Sequence, residues 1–157
     1  MSDEDTSGAG GQSVDQLPEI RTFMLADRAE VLQGKLYIMG GSLDIFLATG
    51  FPTAITFGIA LVVAIPWNHT NEEIALSVVF EDADGQVLGR MDAPITVGRP
   101  PNLGKGDEQL VPLAVSNLTF AISKAGAFVA LSSLNGKPGP RATFRVQSMG
   151  TEHRVPQ

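Results

Sequence analysis

The chain has no cysteine, which excludes disulfides, thiolate metal sites and cysteine nucleophiles, and makes a reducing cytoplasm its natural compartment. It has only two histidines, His69 and His153, and their positions are unrelated, so neither zinc-ligand spacing nor a local catalytic motif surrounds them. Basic residues are few: 11 Lys and Arg stand against 17 Asp and Glu, for a formal net charge of -6. With no basic stripe, the chain repels phosphate backbones, which argues against nucleic acid or an anionic membrane as a partner. No stretch reaches the ~20 apolar residues a spanning helix needs, so membrane insertion is not expected. Met1 is followed by acidic and small residues where a signal peptide would need a basic and then an apolar region, so a cytoplasmic location is expected.

The acidity is unevenly placed. Asp3, Glu4, Asp5 and Asp15 fall before Leu17 with no Lys or Arg among them, which leaves 13 acids against 11 bases in the remainder. Residues 1–17 contain almost nothing to bury and read as a disordered acidic tail. Residues 18–149 read as one domain, and residues 150–157 as a short C-terminal tail. A chain of this length can bury roughly two thirds of the surface its unfolded form exposes, so a core without staples is within reach.

The body is organised around Thr53–Pro66, TAITFGIALVVAIP. Ile55, Phe57, Ile59, Leu61, Val63 and Ile65 alternate with Ala54, Thr56, Gly58, Ala60, Val62 and Ala64. A period of two is that of a β-strand, since successive side chains leave opposite faces. The large face predicts core. The small face, at Ala54, Gly58, Ala60 and Ala64, predicts a shallow apolar surface suited to close approach by another sheet, a tail or a partner subunit.

Around this strand the other elements are shorter. A strand is expected over Glu19–Ala26, with ADRAEVLQGK turning the chain. A second is expected over Lys35–Ala48, with a bulge at Gly40-Gly41 that would bring Leu36, Ile38, Leu43, Ile45 and Leu47 to one face. A phosphate cradle at those glycines would need a following helix, and SLDIFLA reads as strand. Further strands follow: Glu72–Glu81 (Ile74, Leu76, Val78 and Phe80 inward), Gln86–Gly98, Gln109–Ile122, Ala127–Leu134 and Arg141–Met149. Asp82–Gly85 and Asn135–Pro140 mark turns between them. About eight strands with no amphipathic helix predict an all-β fold, a single antiparallel β-sandwich of seven to eight strands, with a closed barrel as the alternative.

Chemistry is sparse. The loop holding Trp67 and His69, and the hairpin holding Asp82 and Asp84, are the candidate positions for a ligand or for calcium, because sandwiches that bind calcium gather acidic side chains on loops at one end. Asp82-Ala83-Asp84-Gly85 alone supplies too few oxygens, and aspartates in such a turn satisfy their own backbone. No nucleophile, base and orienting acid come together as a set, so no enzyme activity and no cofactor are expected.

Across Pro18–Met149 the chain resembles a family of bacterial conserved hypothetical proteins, frequent in actinobacteria and known only as a domain of unknown function. The resemblance is carried by FMLADRAEVLQGKLYIMGG, FPTAITFGIALVVAIPW, FEDADGQVL and AGAFVALSSLNGKPGPRATFRV. The last of these is also similar to the closing hairpin of immunoglobulin-like and C2-like sandwiches. The resemblance implies a β-sandwich and brings no catalytic or binding residues. The expected function is binding without catalysis, to itself as a homo-oligomer or to another protein. The alternative is a loop-end ligand or calcium site.

Overall fold

The computed structural model describes residues 15–150. They form nine strands: β1 Glu19–Leu32, β2 Lys35–Gly41, β3 Ile45–Ala48, β4 Thr53–Pro66, β5 Glu73–Asp82, β6 Val87–Thr96, β7 Glu108–Ile122, β8 Gly126–Leu134 and β9 Lys137–Ser148. A 3-10 turn, Trp67–His69, follows β4. The tail expected over residues 1–17 falls outside the described residues up to Val14, and the C-terminal tail with His153 does so from Thr151.

The strands make two separate sheets, ordered β2-β1-β4-β7 and β3-β9-β8-β5-β6, so the fold is a β-sandwich and not a closed barrel. β3 joins β9 in parallel, which departs from the expected all-antiparallel pairing. β4 is flanked along its length by β7 and over Gly58–Ala64 by β1. Its large face is the core as expected: Ile55, Phe57, Ile59, Leu61, Val63 and Ile65 are all buried. From the opposing sheet Ile74, Leu76, Val78 and Phe80 of β5 meet them, with Phe128 of β8 and Phe144 and Val146 of β9. Burying a Leu, Ile or Phe side chain is worth ~1.5–3 kcal/mol, so this double layer dominates the stability of the fold.

Two local expectations are corrected. β1 does not end at Ala26 but runs on to Leu32, because Asp27, Arg28 and Glu30 are strand residues with solvent-facing side chains and not turn residues. The turn falls at Gln33-Gly34, with φ of 50° and 72°, as a two-residue hairpin with the right-handed strand twist requires. The glycine pair is no bulge within one strand. With Gly40 at φ 61° and Ser42 at φ 57°, the chain leaves the first sheet there and enters the second as β3. The crossing resets the parity, so Phe46 and Ala48 turn inward while Ile45 and Leu47 are exposed. In β6 a register shift between Phe80 and Glu81 of β5 puts Val87 on the surface.

Candidate functional site

The loop and hairpin candidates lie at opposite ends of β5. Trp67 and His69 precede its first residue, Glu73, and Asp82 is its last. Ten extended residues span roughly 30 Å, so the four side chains do not share a site. At the hairpin end, Asp82 Oδ1 accepts hydrogen bonds from the backbone N–H of Asp84 and of Gln86, each 2.9 Å long. Those aspartates hold their own turn. Among the described residues no group of three or more His, Asp or Glu side chains comes together to hold a metal ion.

The other end is more built. Arg99 stacks on Trp67, its guanidinium carbon 3.8 Å from the ring centroid, and the Lys105 ammonium lies 5.7 Å from it. Arg99 Nε donates to Thr70 Oγ1 (2.8 Å) and Nη2 to the Trp67 carbonyl (3.1 Å). Thr70, buried, in turn donates its hydroxyl to the Trp67 carbonyl at 2.7 Å. His69 Nδ1 pairs with Glu72 at 2.9 Å, and its Nε2 is buried without a partner among the described residues. Beside the indole runs a groove of about 630 Å³ lined by Asp15, Pro66, Asn68, Lys105 and Asp107. The connection after β4 is therefore a half-buried aromatic platform, with Arg99 and Lys105 at the indole and Asp15 and Asp107 along the groove.

The small face of β4 is mostly covered by the chain itself. Gly58, Ala60 and Ala64 are buried, Val62 is half-buried, and Ala54 and Thr56 at the start of the strand are exposed. The physical reason lies in β1 and β7. After Ala26, β1 passes over Gly58, where a Cβ would sit 3.2 Å from the Ala29 nitrogen and 3.0 Å from the Val115 carbonyl oxygen. Ser116 Oγ clips the crossing strand by accepting from Ala29 N–H (3.2 Å) and donating to Ala29 C=O (2.5 Å). Further along, Arg21 of β1 reaches across β4 to Glu108 of β7, which lies opposite Pro66.

Residues 21–147 match a family described as "Family of unknown function (DUF6941)". The chain belongs to this family. The matched span runs from β1 into β9 and takes in the whole of both sheets but for their outermost residues. No curated protein matches this DUF6941 chain. Among solved structures, it is similar to a bacterial adhesin from Mobiluncus mulieris containing intramolecular disulfide, isopeptide and ester bond cross-links, at 10% identity and a TM-score of 0.47. That match covers 84% of this chain and 58% of the adhesin chain, so the DUF6941 chain spans less than two thirds of the adhesin's length.

In this DUF6941 member the largest group of exposed apolar side chains is on the β1–β2 hairpin, where Val31 (38%), Leu32 (52%), Tyr37 (49%), Ile38 (36%) and Met39 (55%) are exposed, while Ile45, Leu47, Val87 and Leu110 are exposed singly or in pairs on other strands. Residues of both parities are among them, so both faces of the hairpin are open. The signal was present in VLQGKLYIM, an apolar run on each side of Gln33-Gly34. Reading Asp27–Lys35 as one solvated turn hid it.

Proposed function

We propose that this chain is a non-enzymatic, cytoplasmic binding module that associates with a second copy of itself through the free edge of β2. The observation that supports this reading is that β2 pairs with β1 on one side only and carries Tyr37, Ile38 and Met39 exposed along its length. An edge strand offers a row of unpaired N–H and C=O groups, and proteins usually blunt it with charge or proline. β2 has neither device in its centre: Lys35, its first residue, is its single charge. A two-stranded hairpin is also marginal alone in water, so covering it is favourable.

The sequence of β2 suits its own copy. Antiparallel pairing about a two-fold axis at Ile38 sets Tyr37 opposite Met39 and Leu36 opposite Gly40, and carries the two Lys35 residues to opposite ends, away from each other. Cross-strand pairs of this kind contribute ~0.2–1 kcal/mol each. The open faces of the hairpin, with Val31 and Leu32, extend the contact beyond the edge. The result is two four-stranded sheets joined into one.

Sedimentation equilibrium over a wide concentration range tests the reading. The expected result is a reversible monomer–dimer equilibrium that Ile38→Lys shifts to monomer while the far-UV circular dichroism stays unchanged. A strict monomer at the highest concentration, or a dimer that Ile38→Lys leaves intact, overturns it.

A further inference from the structure

We infer that Met39 is an oxidation site at which a peroxide switches off self-association, an inference that rests on the pairing of β2 with its own copy. The chain has no cysteine, so its thioethers are the groups most open to two-electron oxidation. Among the described residues Met24 and Met91 are half-buried, while Met39 and Met149 are exposed at 55% and 52%. Met149 follows β9 in the other sheet, where its N–H bonds to the Ala48 carbonyl. Met39 lies on β2 itself, next to the two-fold position at Ile38.

In the paired form Met39 faces Tyr37 of the second copy, and a thioether against an aromatic ring is a favourable contact. On its own hairpin it stands opposite Arg28 of β1, whose guanidinium is turned to Glu30 at 3.5 Å. Oxidation needs only the peroxide. The sulfur lone pair takes one peroxide oxygen, the S–O bond forms as the O–O bond breaks, sulfur loses two electrons, and the second oxygen leaves with both protons as water. The product is a sulfoxide, whose polar oxygen is hydrated on the free chain. Pairing strips that water, and the face of the Tyr37 ring offers no donor in its place, so the sulfoxide favours the free chain. The paired form in turn shields the thioether. Reduction by a sulfoxide reductase, with a dithiol as electron donor, restores the edge.

The experiment treats the full chain with hydrogen peroxide, follows each methionine by peptide mass spectrometry, and measures assembly by sedimentation equilibrium. Raising the protein concentration through the dimer dissociation constant is expected to slow oxidation of Met39 several-fold relative to Met149. After oxidation the dissociation constant is expected to rise about tenfold, the scale of a polar group buried without a partner. Met39→Leu, a volume-conserving change, is expected to keep the dimer and to remove its response to peroxide. A dimer that complete oxidation of Met39 leaves intact, or one that responds to peroxide equally in Met39→Leu, overturns the inference and leaves the pairing of β2 standing. A chain that is monomeric before any peroxide is added overturns the pairing, and the switch with it.

Discussion

Phe57 of β4 and Phe144 of β9 pack with ring centroids 5.7 Å apart and planes inclined at 53°, joining the two sheets at the centre of the core. Phe46, Phe80 and Phe120 stand 5.6–5.7 Å from the same Phe57 ring. Phe57 has no exposed surface, so Phe57→Ala removes the hub of the cluster and leaves a cavity that rigid sheets on both sides do not close. The expected loss is ~3–5 kcal/mol. Urea titration checks it: the midpoint falls with the slope unchanged, and a loss below ~1 kcal/mol would contradict the hub.

That hub was legible in the sequence, because the alternation of Thr53–Pro66 needs only local information. Which residues cover which was not. Gly58 is visibly small, but the segments that close over it, β1 beyond Ala26 and the Val115–Ser116 region of β7, meet across 87 residues of sequence. The stacking of Arg99 on Trp67 is likewise a contact over 32 residues and has no local signature. The break at Gly40-Gly41 was legible as a break; its consequence, a change of sheet, depends on β9 being there to pair with β3.

Gly58 is the position where small size is a requirement. A methyl group there meets the Val115 carbonyl oxygen at 3.0 Å and the Ala29 nitrogen at 3.2 Å, both backbone atoms that cannot rotate away. Gly58→Ala is expected to cost ~1–3 kcal/mol by overpacking, whereas Ala54→Ser, on the exposed part of the same face, stays within ~0.5 kcal/mol. Thermal melts of the two variants side by side check the contrast.

Ala60→Glu separates a covered face from a solvated one. Ala60 is fully buried between Met24 and Ala114, its register partners, and the variant's carboxylate has no cation in that row to meet. Burial of an unpaired charge is expected to destabilise by several kcal/mol, or about 3 and above. A variant that melts with the wild type would return the small face to the surface.

Asp92 gives a pH signature. A hydrogen bond from Arg90, at 2.8 Å, and then the Ser77 hydroxyl across the β5–β6 pair hold its carboxyl below the ordinary carboxylate range. Because the folded value is depressed, the contribution is fully present above the unfolded value and is lost as pH falls through the folded one. Asp92→Asn is therefore expected to lower stability at neutral pH and to converge on the wild type in acid, which flattens the acid limb of the stability–pH curve. The side chain is 59% exposed, so the difference shrinks in high salt. An acid limb identical in the two proteins would contradict the Arg90 bond.

Gly34 tests the hairpin without altering any apolar side chain on it. Its φ of 72° lies in the left-handed region, and nothing stands within 4 Å of the place a Cβ would take, so Gly34→Ala adds backbone strain and no clash. Strain of this kind costs ~1–2 kcal/mol and falls on the β1–β2 turn alone, since the core is elsewhere. If β2 is the contact between copies, loosening its turn weakens the dimer while Tyr37, Ile38 and Met39 remain in place. Hydrogen exchange is expected to rise across residues 28–41 and the dimer dissociation constant to rise about tenfold, the equivalent of 1.4 kcal/mol. Faster exchange with an unchanged dissociation constant would locate the contact somewhere other than the hairpin.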